Sequence, residues 1–217
     1  AALVSRLLRQ APDGHVRVTL GNHEMGILVP DRFRWHDWYS TARSDEERQT
    51  FCEYIRQGHV VAAYEGYRVA YAHAGHPDAY ETRAVNDDLV AAADRLVEAV
   101  GTEEDEPTQQ ELIEAYPTVL GLGGRSGRGP GAGLAWLDLE FMPEDAPPQV
   151  VGHTRQTAPR QQGNVICQNT IRNNTFSDGG EAVVVETPDR LLALSRTPTQ
   201  GVKTTEFSLS DAADPAE

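Results

Sequence analysis

The sequence predicts an α/β fold, and three observations carry that expectation. Short apolar runs rich in Val, Ala and Tyr alternate with helical stretches as far as residue 151. From residue 164 onward the pattern changes to strands separated by tight turns. Nowhere do about 18 consecutive apolar residues follow one another, so no membrane-spanning helix is expected.

The elements follow in order. Ala2, Leu3, Val4, Leu7 and Leu8 form a helical stripe that Pro12-Asp13-Gly14 breaks. Residues 16–20 are strand-like and stop at Gly21. Residues 45–57, "DEERQTFCEYIRQ", predict a helix with its acids in the first turn, where the helix dipole favours them, and Gly58 as its stop. Residues 59–72 predict a hairpin with strands 59–64 and 67–72 about a Glu65-Gly66 turn. Asn86 is expected to cap a helix over 87–100, whose Leu89, Ala93, Leu96, Val97 and Val100 share one face. Thr108 and Glu111 have capping-box spacing before a short helix to Tyr116. The stretch "GLGGRSGRGPGAG", 121–133, is a long glycine-rich loop, and such loops inside a domain are often functional. "PPQVVGHT" reads as a buried strand entered by two prolines. Strands 164–170, 181–187 and 190–196 form an antiparallel run with a Pro188-Asp189 turn, and 201–209 adds an edge strand. This reading makes residues 1–209 one domain and 210–217 an acidic, frayed tail.

The net charge of −14 argues against binding nucleic acid or anionic lipid, both of which need a basic surface. Lys203 is the only lysine. An acidic, lysine-poor surface fits adaptation to high salt, and equally a genome that favours Arg codons. Cys52 and Cys167 form no paired motif, which fits a reducing, cytoplasmic compartment.

Chemistry concentrates where three apolar strands stop. "VRVTL" ends in Gly21-Asn22-His23-Glu24, "YRVAYA" in His73-Ala74-Gly75, and "PQVV" in Gly152-His153-Thr154. A single histidine at a strand end reads more simply as a hydrogen-bonded surface residue. Three of them, each beside a glycine, predict a shared site beyond the sheet's C-terminal edge. His15, His36 and His59 are expected to be structural or surface residues, and His76 has no assigned role. Imidazole and carboxamide oxygen together suit Mn²⁺, Fe²⁺ or Zn²⁺.

"GNHE", "AHAG" and "VVGHT", in that order and at strand ends, resemble the calcineurin-like metallophosphoesterases. The branch they resemble holds the serine/threonine phosphoprotein phosphatases and the diadenosine-tetraphosphatases. The resemblance runs from about residue 1 to residue 196; "GNHE" and "GHT" are its specific parts and "HAG" is weak. It implies a four-layer α-β-β-α sandwich of two mixed sheets and a centre of two divalent metal ions, manganese foremost. On this chain, Asn22, His73 and His153 would be ligands of one ion. His23 would be the general acid, and Glu24 would stand behind the ligands without touching the metal. The substrate would be a phosphorylated protein or a small phosphoester.

Two departures from the family pattern matter. The Asp-x-His and Gly-Asp-x-x-Asp-Arg motifs that bring the other ion's ligands are missing, and Asp13-Gly14-His15 sits in a turn and cannot replace the first. The chain is therefore expected to be a member lacking the first two strands, with weak or no activity alone. Arg155 stands where many relatives carry another metal-binding His. Independently of the family, Arg125 and Arg128 in the glycine-rich loop are candidate phosphate ligands. A dinucleoside-polyphosphate hydrolase and a non-catalytic metal- or partner-binding remnant are the rival functions.

Overall fold

The computed structural model describes residues 16–33, 44–170, 181–197 and 201–209, with Arg6 and Thr199. The expected first helix, of which only Arg6 is described, therefore lies outside these residues, as do His15, His36 and the acidic tail. The fold is mixed α/β, and the described residues form three sheets. Strands β1 (Val18–Thr19) and β2 (Val60–Val61) pair in parallel. Five short strands form a mixed sheet in the order β3-β4-β5-β7-β6: β3 (Ala63–Glu65), β4 (Ala70–Ala72), β5 (Gln149–Val151), β7 (Val165–Cys167) and β6 (Arg160–Gln162). Strands β8 (Ala182–Glu186), β9 (Leu191–Arg196) and β10 (Val202–Phe207) make an antiparallel sheet.

Period-two alternation in the central strands decides what each face meets. Tyr71, Val150 and Ile166 stand in register and pack against Leu191, Ala193 and Phe207 of the antiparallel sheet. One residue along, Val151 and Cys167 point the other way, into the main core. Helices close that core: α1 (Asn22–Leu28), α2 (Asp45–Arg56), α3 (Thr82–Ala99), α4 (Asp105–Ala115) and α5 (Pro117–Leu120). Phe51, Ile55, Leu89, Ala92, Leu96 and Leu112 are their buried contributions. The expected α/β class is met: among the described residues a mixed sheet and an antiparallel sheet share a hydrophobic cluster, and helices cover the main core. One of the two is wholly antiparallel, not mixed.

Several local expectations are corrected. The 59–64 strand breaks at Ala62, and its halves join different sheets as β2 and β3. Asn86 does not cap a helix. It lies inside α3 and binds the break itself, accepting from Ala62 N at 2.8 Å and Ala63 N at 3.2 Å and donating to Ala63 O at 2.9 Å. Backbone groups released by the break outbid the helix end for this carboxamide. Thr108 likewise lies within α4, which begins at Asp105. Strand 164–170 leaves the antiparallel run and becomes β7, parallel to β5. Its neighbours β8, β9 and β10 pair as expected.

Candidate functional site

Strands β4 and β5 are parallel neighbours, so the residues that follow them emerge side by side. Gly152 N donates to His73 O at 2.8 Å and locks the two strand ends together. Gly75, at φ +84°, then turns the chain away. Gln149, wholly buried, clamps that turn by accepting from His76 N and donating to His76 O. His76 thus contributes backbone, and its ring accepts from Asp78 N in a local turn. His59 also serves the backbone, accepting from Val18 N and donating to Tyr54 O.

Asn22 arrives from the separate β1-β2 pair, as the first residue of α1. Its approach depends on Gly21, where an added Cβ would stand 2.8 Å from both Glu24 Oε2 and His73 Nδ1. Asn22 Oδ1 lies 3.0 Å from His73 Nε2, and His153 Nδ1 lies 3.2 Å from the same nitrogen. Asn22 and His153 are both buried. A neutral imidazole nitrogen offers one N–H or one lone pair, so His73 Nε2 cannot satisfy both neighbours at once. Two donors held about 2.1 Å from a cation at right angles stand about 3.0 Å apart. Asn22 Oδ1 and His153 Nδ1 each stand at about that separation from His73 Nε2, so these three atoms could hold one divalent ion.

Burial governs the charge of both rings. Burial holds the His73 imidazole down to about 3, helped by the charges His153 and His23 would carry. Burial also lowers His153, to about 4, with Arg128 and His23 adding to the effect. Both rings are neutral at physiological pH, the form that binds a metal. Burial pushes the Glu24 carboxyl up, and its Oε2, like His73 Nδ1, borders the space beside Gly21.

A cleft of about 640 Å³ opens over these groups, lined by Asn22, His23, His73, His153, Arg128 and Asp138. His23 is therefore gathered with the three donor residues. The glycine-rich loop delivers Arg128 to the cleft, where its Nη1 is 3.7 Å from Asp138 Oδ2. Arg125, from the same loop, is exposed and does not line this cleft.

Sequence reasoning missed Asp138, Asn169 and the placement of Arg155, all of which line the cleft. Asp138 follows the buried "LAWL" run, Leu134 to Leu137, and no local pattern in the sequence marks it out. No group of three or more His, Cys, Asp or Glu among the described residues is disposed to hold a metal. The groups assembled here are two imidazoles and one carboxamide. No helix among the described residues is long and apolar enough to cross a membrane. Comparison with known proteins adds no relative, since no family model, curated protein or solved structure matches this chain.

Proposed function

We propose that this chain is a metal-dependent phosphoesterase domain of the calcineurin-like kind, acting on phosphomonoesters such as phosphoserine or phosphothreonine in proteins. The observation that supports this reading is the convergence of Asn22 Oδ1, His73 Nε2 and His153 Nδ1 at 3.0 and 3.2 Å beneath a cleft that also holds His23. A bound divalent cation, Mn²⁺ above all, supplies Lewis-acid polarisation of a phosphoryl oxygen and a water of lowered pKa. The chain's residues do the rest. Asn22, His73 and His153 hold the ion, and His23 protonates the leaving alkoxide. Arg128 presents its N–H groups to phosphate oxygens. The four-layer sandwich with a two-ion centre is the corresponding fold reading.

Isothermal titration with Mn²⁺ and turnover of phenyl phosphate test it, because that leaving group needs a proton. The parent chain is expected to bind Mn²⁺ and to show slow, chelator-sensitive hydrolysis. His73→Ala abolishes binding, whereas His23→Ala keeps it and lowers kcat about a hundredfold. A parent chain that takes up no Mn²⁺, or unchanged turnover in His23→Ala, overturns the assignment. A second reading, a non-catalytic cation-binding domain, is favoured because no group of three or more His, Cys, Asp or Glu among the described residues is disposed to hold a further ion. Stoichiometric binding with no chelator-sensitive turnover would select it.

A further inference from the structure

We propose that Asp138 is the positioning residue of this centre: its carboxylate takes the Nε2–H of His153 and so turns the Nδ1 lone pair toward Asn22 and His73. The inference rests on the metal-site reading above and assigns a role to a residue outside the donor set.

The His153 ring has two ends with different surroundings. Nδ1 faces His73 Nε2. Nε2 faces the protein interior on a side chain only 3% exposed, and it has no hydrogen-bond partner. Asp138 Oδ1 stands 3.5 Å from it. A buried N–H left unpaired costs about 1–3 kcal/mol, so a carboxylate at this separation is its natural acceptor. Apo contacts of this kind are commonly long and tighten when the site is loaded.

The carboxylate is itself held in place. The Thr154 hydroxyl donates to Asp138 Oδ1 at 3.0 Å, and Leu139 N donates to that same Thr154 oxygen at 2.8 Å. Asp138 N donates to Arg128 O at 3.0 Å, and the Arg128 guanidinium lies by the other carboxylate oxygen. On the far side, Asn169 Nδ2 donates to His153 O at 3.0 Å, and Trp136 stacks edge-on against the ring. Main chain, ring plane and carboxylate are each fixed by separate contacts. A neutral imidazole carries one proton, and with an anion on the Nε2 side that proton belongs there. The Nδ1 lone pair is then free to bind a cation. Histidine ligands commonly donate their other N–H to a carboxylate, and this raises the ligand's basicity.

Two measurements test the assignment. Long-range ¹⁵N NMR on the parent chain is expected to show His153 as the Nε2–H tautomer. Mn²⁺ titration is expected to show a 10- to 100-fold loss of affinity in Asp138→Asn, by analogy with other such partners, with partial recovery in Asp138→Glu. A proton on His153 Nδ1 in the parent chain overturns the inference, as does parent-like Mn²⁺ affinity in a folded Asp138→Asn. If the parent binds no Mn²⁺, the metal reading falls alone, and the tautomer still decides whether Asp138 sets the ring. The NMR measurement needs no variant, so an unfolded Asp138→Asn leaves the test intact.

Discussion

Gly21 carries more of the site than its lack of a side chain suggests. Its backbone is extended and unstrained, at φ −106° and ψ 172°. What it supplies is room. The Glu24 carboxylate and the His73 ring crowd the position a Cβ would take, at 2.8 Å each. Gly21→Ala therefore pushes either the buried carboxylate or the ring aside. Overpacking of this kind costs about 1–3 kcal/mol, and here part of the cost falls on His73, a donor of the proposed centre. The expected result is a lower denaturation midpoint together with weaker Mn²⁺ binding, measured on the same preparation. Parent-like stability and affinity would show that His73 needs no such clearance. At this scale much was readable in advance. Asn22, His23, His73 and His153 could be picked out because each follows an apolar run and sits beside a glycine or next to a residue that does. Asp138 could not, because its importance lies in what surrounds it, and Thr154, Arg128 and His153 meet it only through the fold.

The break between β2 and β3 is decided at the level of elements. A continuous strand 59–64 would have tied the β1-β2 pair to the five-stranded sheet as one surface. Splitting it lets Val60–Val61 pair with β1, while Ala63–Glu65 turns to pair with β4. The split frees backbone groups at Ala62 and Ala63, both buried. Asn86 serves three of these groups from the inner face of α3. Replacing it with Ala leaves them unpaired, and each such loss costs about 1–3 kcal/mol. Asn86→Ala is expected to lower the urea midpoint clearly, whereas Asn86→Asp, which still accepts from both N–H groups, loses less. Equal effects of the two variants would mean that the carboxamide's acceptor role is not what holds the break. A sequence reading sees Asn before an apolar helical run and assigns a cap, since local spacing is all it has. The structure uses the same residue one layer away.

Across the whole molecule, one polar network ties the helical layer together. Arg48, buried on α2, donates to Leu28 O at 3.1 Å and forms a two-pronged pair with Asp105, one prong at 2.8 Å. Gln109, fully buried, donates to both Asp105 and Asp31. Burial pushes the Asp105 carboxyl up, but the bonds from Arg48 and Gln109 outweigh it and hold the group below its ordinary value. Asp105→Asn leaves the guanidinium buried without its counter-charge, a change that typically costs about 3–5 kcal/mol. The pH dependence has a definite sign. A carboxyl depressed in the folded state stabilises fully above its ordinary value of 3.8 and loses that contribution as pH falls through the folded value. The stability gap between parent and Asp105→Asn should therefore be flat at neutral pH and narrow below about pH 3.8; a gap that widens on acidification would reverse the assignment. The sequence by itself determined the α/β class, most of the helix positions, the closing antiparallel strands and three of the histidines that matter. Those depend on hydrophobic period and on the residues that stop an element, which act over a few positions along the chain. Only the tertiary structure decided that Arg128 and not Arg125 reaches the cleft, that β7 leaves the antiparallel run, and that a carboxylate stands behind His153. Each of these is a meeting of segments distant in sequence, settled by which backbone groups and side chains the folded packing leaves to be satisfied.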